Sequence, residues 1–276
     1  MSLVETDWLE NNKAKVKIID CSWHMPQTKR NGFEEYKTQH IPESIFFDLD
    51  NNSDKNTNLP HMLANKNEWE IIVSKMGIKN EDMIIIYDNS DVVSSCRCWF
   101  NFIYYGHDPK LVHVLNGGLK KWLEEKRKVT NNLSKVMKSD YKSFENQELV
   151  KNKDLINQNI ETQNFKVVDA RSKERFEGKV PEPREGLKSG SIKNSVCIPF
   201  GSCLNQDRTF RNKQELEKIF QSSLKNLNDK NIVFSCGSGV TACVLALAYS
   251  LINDKYRPCI YAVSYTHLTL PTNREV

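Results

Sequence analysis

Two pairs of segments in this chain repeat one another at nearly the same distance, and this repetition limits the fold more than any other feature. Val16-Lys17-Ile18-Ile19-Asp20 is a β-rich run ending in an acid, and so is Phe165-Lys166-Val167-Val168-Asp169. Met83-Ile84-Ile85-Ile86-Tyr87 is matched in the same way by Asn231-Ile232-Val233-Phe234. The offsets are 149 and 147 residues (169 − 20 and 234 − 87). Helical patterns lie between the runs, at residues 66–76 and 213–224. Short apolar strands alternating with helices predict parallel α/β units, since a parallel strand is covered on both faces and needs a crossover to reach its neighbour. The expected architecture is α/β, with two tandem domains over residues 1–128 and 155–276, each a mostly parallel sheet flanked by helices. Residues 129–154 are polar, rich in Lys and Asn and poor in periodic signal, and read as a surface linker.

The repetition fails in one place. In the first copy, His113-Val114-Leu115-Asn116-Gly117-Gly118 leads into Leu119-Lys120-Lys121-Trp122, which is a strand, a glycine turn and a helix. The second copy supplies Ile260-Tyr261 on schedule and then runs from Ala262 to Val276 with no glycine pair and no tryptophan. This tail, from about 262 onward, reads as abnormal, adaptor-like sequence. The second domain is accordingly expected to lack its last turn and helix.

The chemistry concentrates in Ile232-Val233-Phe234-Ser235-Cys236-Gly237-Ser238-Gly239-Val240-Thr241-Ala242. An apolar strand carries a cysteine into a glycine-rich loop, and a strongly apolar helical run over residues 243–252 follows at once. Gly237 and Gly239 are expected to let the loop curl so that successive N–H groups face inward as an anion-binding nest. The start of the helix adds its positive dipole end. Such surroundings favour a thiolate and would make Cys236 a nucleophile. The blander alternative is a cysteine packed inertly in a strand-to-helix turn, which is the reading given to Cys243. In the first copy, Asp88-Asn89-Ser90-Asp91 stands at the matching place and offers no thiol, so that domain is expected to be catalytically silent. Cysteine phosphatases share this loop logic but need an arginine at its far end to hold phosphate. The matching residue here is Ala242, which argues against phosphate-ester hydrolysis.

Composition excludes other classes. Of 276 residues, 39% are hydrophobic and 27% charged, and the net charge of +4 comes from cations mixed with acids along the chain. Neither a nucleic-acid partner nor a membrane partner is indicated. The mean hydropathy is -0.58, and no apolar run approaches the roughly 18 residues a membrane span needs. The N-terminus has neither a secretory apolar core nor an Arg-rich transit pattern, which points to the cytoplasm and leaves a mitochondrial form open. Eight cysteines are scattered without paired CxxC spacing, which suits a reducing compartment and neither a disulfide framework nor a metal site.

In chain order, Asp20-Cys21-Ser22-Trp23, His40-Ile41-Pro42-Glu43-Ser44, Gly106-His107-Asp108, Asn116-Gly117-Gly118, Arg175-Phe176-Glu177-Gly178, Glu182-Pro183-Arg184 and Cys236-Gly237-Ser238-Gly239-Val240-Thr241 resemble the two-domain sulfurtransferases of the rhodanese superfamily. The resemblance covers nearly all of residues 3–261. Thiosulfate-preferring members typically carry cations at the two positions after the cysteine. Gly237 and Ser238 instead resemble the 3-mercaptopyruvate branch.

The resemblance implies a two-step reaction in which Cys236 takes sulfur from 3-mercaptopyruvate as a persulfide, releases pyruvate, and passes the sulfur to a thiol or to cyanide. It implies no cofactor and no metal. It assigns Arg175 and Arg184 to the substrate carboxylate, which a guanidinium fork can grip at two points. Gly237, Gly239, Val240 and Thr241 complete the substrate-binding loop. A relay of Ser238, His61 and Asp50, the last two contributed by the first domain, would move the proton that the departing pyruvate needs. The implied partners are a small-molecule sulfur donor and a thiol acceptor such as a thioredoxin-like protein, with the chain a monomer or weak dimer. Thiosulfate as donor and an inactive sulfur-carrier or scaffold module are the competing readings. Two departures stand out: Gly190-Ser191-Ile192-Lys193-Asn194-Ser195 replaces the family's His-Ile-Pro-Gly turn, and the tail lacks a Gly-Ser-Trp element. The first is expected to alter loop packing and leave the chemistry intact. The second puts the activity of this chain in question.

Overall fold

Ile84, Ile85, Ile86 and Tyr87 are all buried, as a central parallel strand requires. The strand belongs to a computed structural model that describes residues 2–183, 189–224, 226–227 and 231–261. Arg184 and the tail from 262 onward lie outside the described residues. The chain divides into two units: Met1–Gln147 with Leu204–Phe210, and Glu148–Cys203 with Arg211–Val276.

In the first unit the elements run β1 (Leu3–Val4), α1 (Thr6–Asn12), β2 (Lys17–Asp20), α2 (Gly32–Thr38), β3 (Ser44–Phe46), α3 (Lys66–Lys75), β4 (Ile84–Tyr87), α4 (Ser95–Tyr104), β5 (Val112–Leu115) and α5 (Gly118–Glu124). The second unit runs β6 (Val150–Lys151), α6 (Lys153–Thr162), β7 (Lys166–Asp169), α7 (Lys173–Phe176), β8 (Val196–Cys197), α8 (Lys213–Gln221), β9 (Ile232–Ser235), α9 (Val240–Ser250) and β10 (Ile260–Tyr261). The sheets have spatial orders β1-β5-β4-β2-β3 and β6-β10-β9-β7-β8, which are the same order with every strand moved on by five. Every pairing among these strands is parallel. The repeated motifs are therefore one supersecondary unit built twice.

Local signals fix the helices. Asn65 and Glu68 close a capping box on α3, and Asn212 and Glu215 close another on α8, each satisfying N–H groups that a helix start leaves unpaired. Leu9, Ile18, Ile85, Leu119 and Trp122 pack as one cluster of the first unit, and Trp69 stacks on Tyr105 in another part of it. In the second unit, Phe220, Phe234, Tyr249 and Tyr256 form an aromatic cluster under α9. α9 is apolar around most of its circumference and buried from Val240 to Tyr249, except Thr241, as a helix sunk in a core must be.

Part of the stretch read as a linker is structured. His40 and Thr130 exchange backbone hydrogen bonds at 2.9 Å, Tyr141 is buried, and Val150–Lys151 forms the edge strand β6. A two-residue strand shows no periodicity, so only its pairing with β10 reveals it. Leu204–Phe210, from the second half of the chain, belongs to the first unit. There Arg208 pairs with Asp91, Lys120 donates to the Gln206 carbonyl at 2.8 Å, and the Phe210 amide donates to Asn116 at 2.9 Å.

The substituted turn of the second copy keeps its backbone shape. Ser195 donates to the Ile192 carbonyl at 3.1 Å, as Ser44 donates to Ile41 at 3.2 Å. The residue before each serine, Asn194 and Glu43, is left-handed, with φ of 66° and 69°. What differs is the side-chain bracing: the His40 ring meets the carbonyls of Tyr36 and Asn132.

Candidate active site

β9 ends at Ser235, in register with Asp169, the last residue of β7. α9 starts at Val240, so Cys236 to Gly239 is the whole connection between a central strand and a buried helix. Gly239 is the N-cap of that helix, with φ of 81°, a conformation in which glycine avoids the clash of a Cβ. From there its N–H donates to the Cys236 Sγ at 3.1 Å. The Cys243 thiol, one turn into α9, donates to the Gly239 carbonyl at 3.0 Å and braces the same residue from the other side. Cys236 and Ser238 are both buried. Val240 is buried beneath the turn, while Thr241 is half-buried.

Gly237 serves a different purpose from the one its sequence context implies. Of the two glycines expected to curl the loop, Gly239 is left-handed and Gly237 is not. A Cβ at Gly237 would meet the Arg175 Nη2 at 3.4 Å and no other heavy atom within 4 Å outside its chain neighbours. Its lack of a side chain gives clearance beside a guanidinium.

Arg175 lies in the short helix α7, where the Glu- and Pro-rich sequence suggests a loop. Ser172 caps α7 by accepting the Arg175 amide. The guanidinium is held by Glu182: Nε donates to Oε1 at 3.2 Å and Nη2 donates to Oε2. Glu182 Oε1 also accepts from Arg171 Nη1 at 2.7 Å. Arg171 in turn grips Asp169, with Nη2 to Oδ2 at 2.7 Å. The side chains of Asp169, Arg171 and Glu182 have no solvent exposure, while Arg175 keeps 23%. A buried charge is tolerated when it is paired and hydrogen-bonded, and here two carboxylates alternate with two guanidiniums.

In the first unit, Asp50 Oδ1 lies 2.9 Å from the His61 Nε2, and Asp50 Oδ2 accepts the Trp23 indole N–H at 2.9 Å. The Trp23 and His61 rings meet edge to face at 4.6 Å. Arg97, buried, donates to the His61 carbonyl. His61 has φ of 57°, an uncommon conformation for a non-glycine residue and one that the surrounding contacts must hold in place. The hydrogen bond from His61 outweighs partial burial and keeps Asp50 below the ordinary carboxylate range. Of the expected nucleophile and relay residues, Asp50 thus groups with His61 in the first unit, and Cys236 and Ser238 stand on the loop of the second. Trp23, Asp169, Arg171 and Glu182 were not singled out from sequence. Glu182 and Trp23 do sit inside recognisable motifs, but Arg175 and Arg171, 7 and 11 residues before Glu182, and Asp50, 27 residues after Trp23, follow no periodic spacing that would pair them.

A buried cysteine thus stands at a strand–helix turn with an amide on its sulfur and a guanidinium beside the loop. The chain belongs to the rhodanese-like family: the rhodanese-like domain matches residues 5–125 and 152–265. It is 37% identical to thiosulfate/3-mercaptopyruvate sulfurtransferase 1, mitochondrial, of Arabidopsis thaliana, over 96% of this chain and 75% of that protein. It is 34% identical to the 3-mercaptopyruvate sulfurtransferase of Homo sapiens, over 84% of this chain and 78% of that protein. Among solved structures it is similar to SseA, a 3-mercaptopyruvate sulfotransferase of Escherichia coli, with a TM-score of 0.85, 27% identity, and coverage of 96% of this chain and 98% of that one. Among the described residues, no helix is long and apolar enough to cross a membrane.

Proposed function

We propose that this chain moves a sulfur atom from 3-mercaptopyruvate, through a persulfide on Cys236, to a thiol acceptor. The Cys236 thiolate attacks the donor sulfur and forms an S–S bond. The donor C–S bond breaks, and its electron pair leaves on the methylene carbon as pyruvate enolate, which a proton converts to pyruvate. An acceptor thiolate then attacks the outer sulfur and restores the Cys236 thiolate. The observation that carries this reading is the Gly239 amide on the Cys236 sulfur, with Arg175 beside Gly237. An amide aimed at the reacting sulfur stabilises charge where it develops, and a guanidinium next to the loop suits the carboxylate of an α-keto acid.

Arg175 and Arg184 are proposed as carboxylate ligands, and Ser238 with the Asp50–His61 pair as the proton-exchange groups. A His61→Gln variant turning over at the full rate would remove the pair from the reaction. A thioredoxin-like dithiol is the proposed acceptor class. The names of the Arabidopsis relatives include thiosulfate, yet Gly237 and Ser238 leave out the cations that would favour that dianion. Initial rates with each donor, using cyanide as acceptor, decide between them, and a clear preference for thiosulfate would overturn the donor assignment. After exposure to 3-mercaptopyruvate, the wild type is expected to gain one sulfur by intact mass and Cys236→Ser to gain none. An adduct on the serine variant would move the chemistry to another cysteine.

A further inference from the structure

We propose that Glu182 is a positioning residue for this reaction: it fixes the Arg175 guanidinium against the Cys236 loop and selects which of its N–H groups face the substrate. The proposal rests on the sulfur-transfer reading above. An arginine side chain has several rotatable bonds and loses rotamer entropy when it is fixed. Glu182 supplies that fixing in advance. Its two oxygens take the Nε and Nη2 N–H groups of Arg175, so the remaining donors are left for a ligand.

The clamp is itself anchored. Glu182 is held from behind by Arg171 Nη1 at 2.7 Å. Arg171 is tied to Asp169 and to the Gly190 carbonyl, each at 2.7 Å. Asp169 ends β7, in register with Ser235 immediately before Cys236. The guanidinium and the nucleophile are therefore referenced to two paired central strands. A site on rigid elements keeps its geometry better than one on a free loop.

The first unit offers an internal control. There Arg30 and Glu35 pair through two 2.7 Å bonds, and Arg30 donates to the Asn89 carbonyl at 3.1 Å. Asn89 follows Asp88 as Gly237 follows Cys236. In this copy the Asn89 side chain closes on Glu35 at 3.0 Å, and Asp20, the counterpart of Asp169, is hydrogen-bonded by Ser22 where Asp169 has Arg171. The copy whose loop lacks a thiol has an arginine–glutamate pair filled in by that loop. The copy with a thiol has one backed by a buried cation and faced by a glycine.

The test is Glu182→Gln, which keeps an acceptor for Arg171; alanine would leave a buried guanidinium uncompensated and endanger folding. Glu182→Gln should raise KM for 3-mercaptopyruvate about tenfold or more, with kcat within about threefold. In an Arg175→Lys background the same change should add less than about twofold, because the two residues act as one unit. By NMR, the Arg175 Nε–H should exchange slowly in the wild type and lose that protection in Glu182→Gln. Unchanged KM with an unchanged Nε–H signal, or a fall in kcat alone, overturns the proposal. If the wild type loads no sulfur, the transfer reading fails, and the NMR signal still decides whether Glu182 holds Arg175.

Discussion

Asp88 stands in the first unit where Cys236 stands in the second. Each follows the last residue of a central strand, Tyr87 or Ser235, and each of those is in register with a strand-ending aspartate, Asp20 or Asp169. The Asp88 carboxylate accepts the amides of Ser90 at 2.7 Å and Ser95 at 2.9 Å, so the first unit fills the anion-binding end of its helix with its own side chain. Asp88→Ala leaves two buried N–H groups without an acceptor and is expected to cost about 3 kcal/mol. Denaturant unfolding measures this. A midpoint equal to that of the wild type would show that the carboxylate is dispensable there.

Burial pushes Asp20 up to about 7 from its ordinary 3.8, against hydrogen bonds from Ser22 and Tyr87. A carboxyl raised in the folded state contributes stability in full below the unfolded value and loses it as the pH rises through the folded one. Between about pH 4 and 8, wild-type stability should therefore carry a declining contribution that Asp20→Asn lacks. The variant is expected to gain about 4 kcal/mol on the wild type across that range. Thermal unfolding at several pH values checks it, and an advantage independent of pH would assign Asp20 some other role.

Gly239 combines a left-handed backbone with the amide that reaches the sulfur. Gly239→Ala should cost about 1–2 kcal/mol of stability from backbone strain. By turning the amide away, it should slow sulfur loading of Cys236 about tenfold or more. Gly237→Ala provides the contrast: without a left-handed requirement it should fold normally and act only by crowding Arg175. Stopped-flow loading rates on both variants test the pair. Equal rates for Gly239→Ala and the wild type would refute the role given to that amide.

The strands β2, β4, β7 and β9 were legible from sequence because the middle of a strand buried on both faces is apolar. The cysteine turn was legible because strand, loop and helix are contiguous. β1, β6 and β8 were not, since a two-residue strand has no period and exists only through its neighbour. The turn at Ile192 to Ser195 lacks the histidine and proline of Ile41 to Ser44 but takes the same left-handed step, so residue identity understated how well that shape was kept.

The sequence alone determined that there would be two copies of one parallel α/β unit and that a thiol would stand at the strand–helix turn of the second. Tertiary structure alone decided which charges meet: Glu182 with both Arg171 and Arg175, Asp50 with His61 and Trp23, Asp88 with the amides of its own loop. Strand and helix patterns follow from periodic burial of residues close along the chain, whereas a buried ion pair depends on how the turns between its members aim their side chains, which no period in the sequence records.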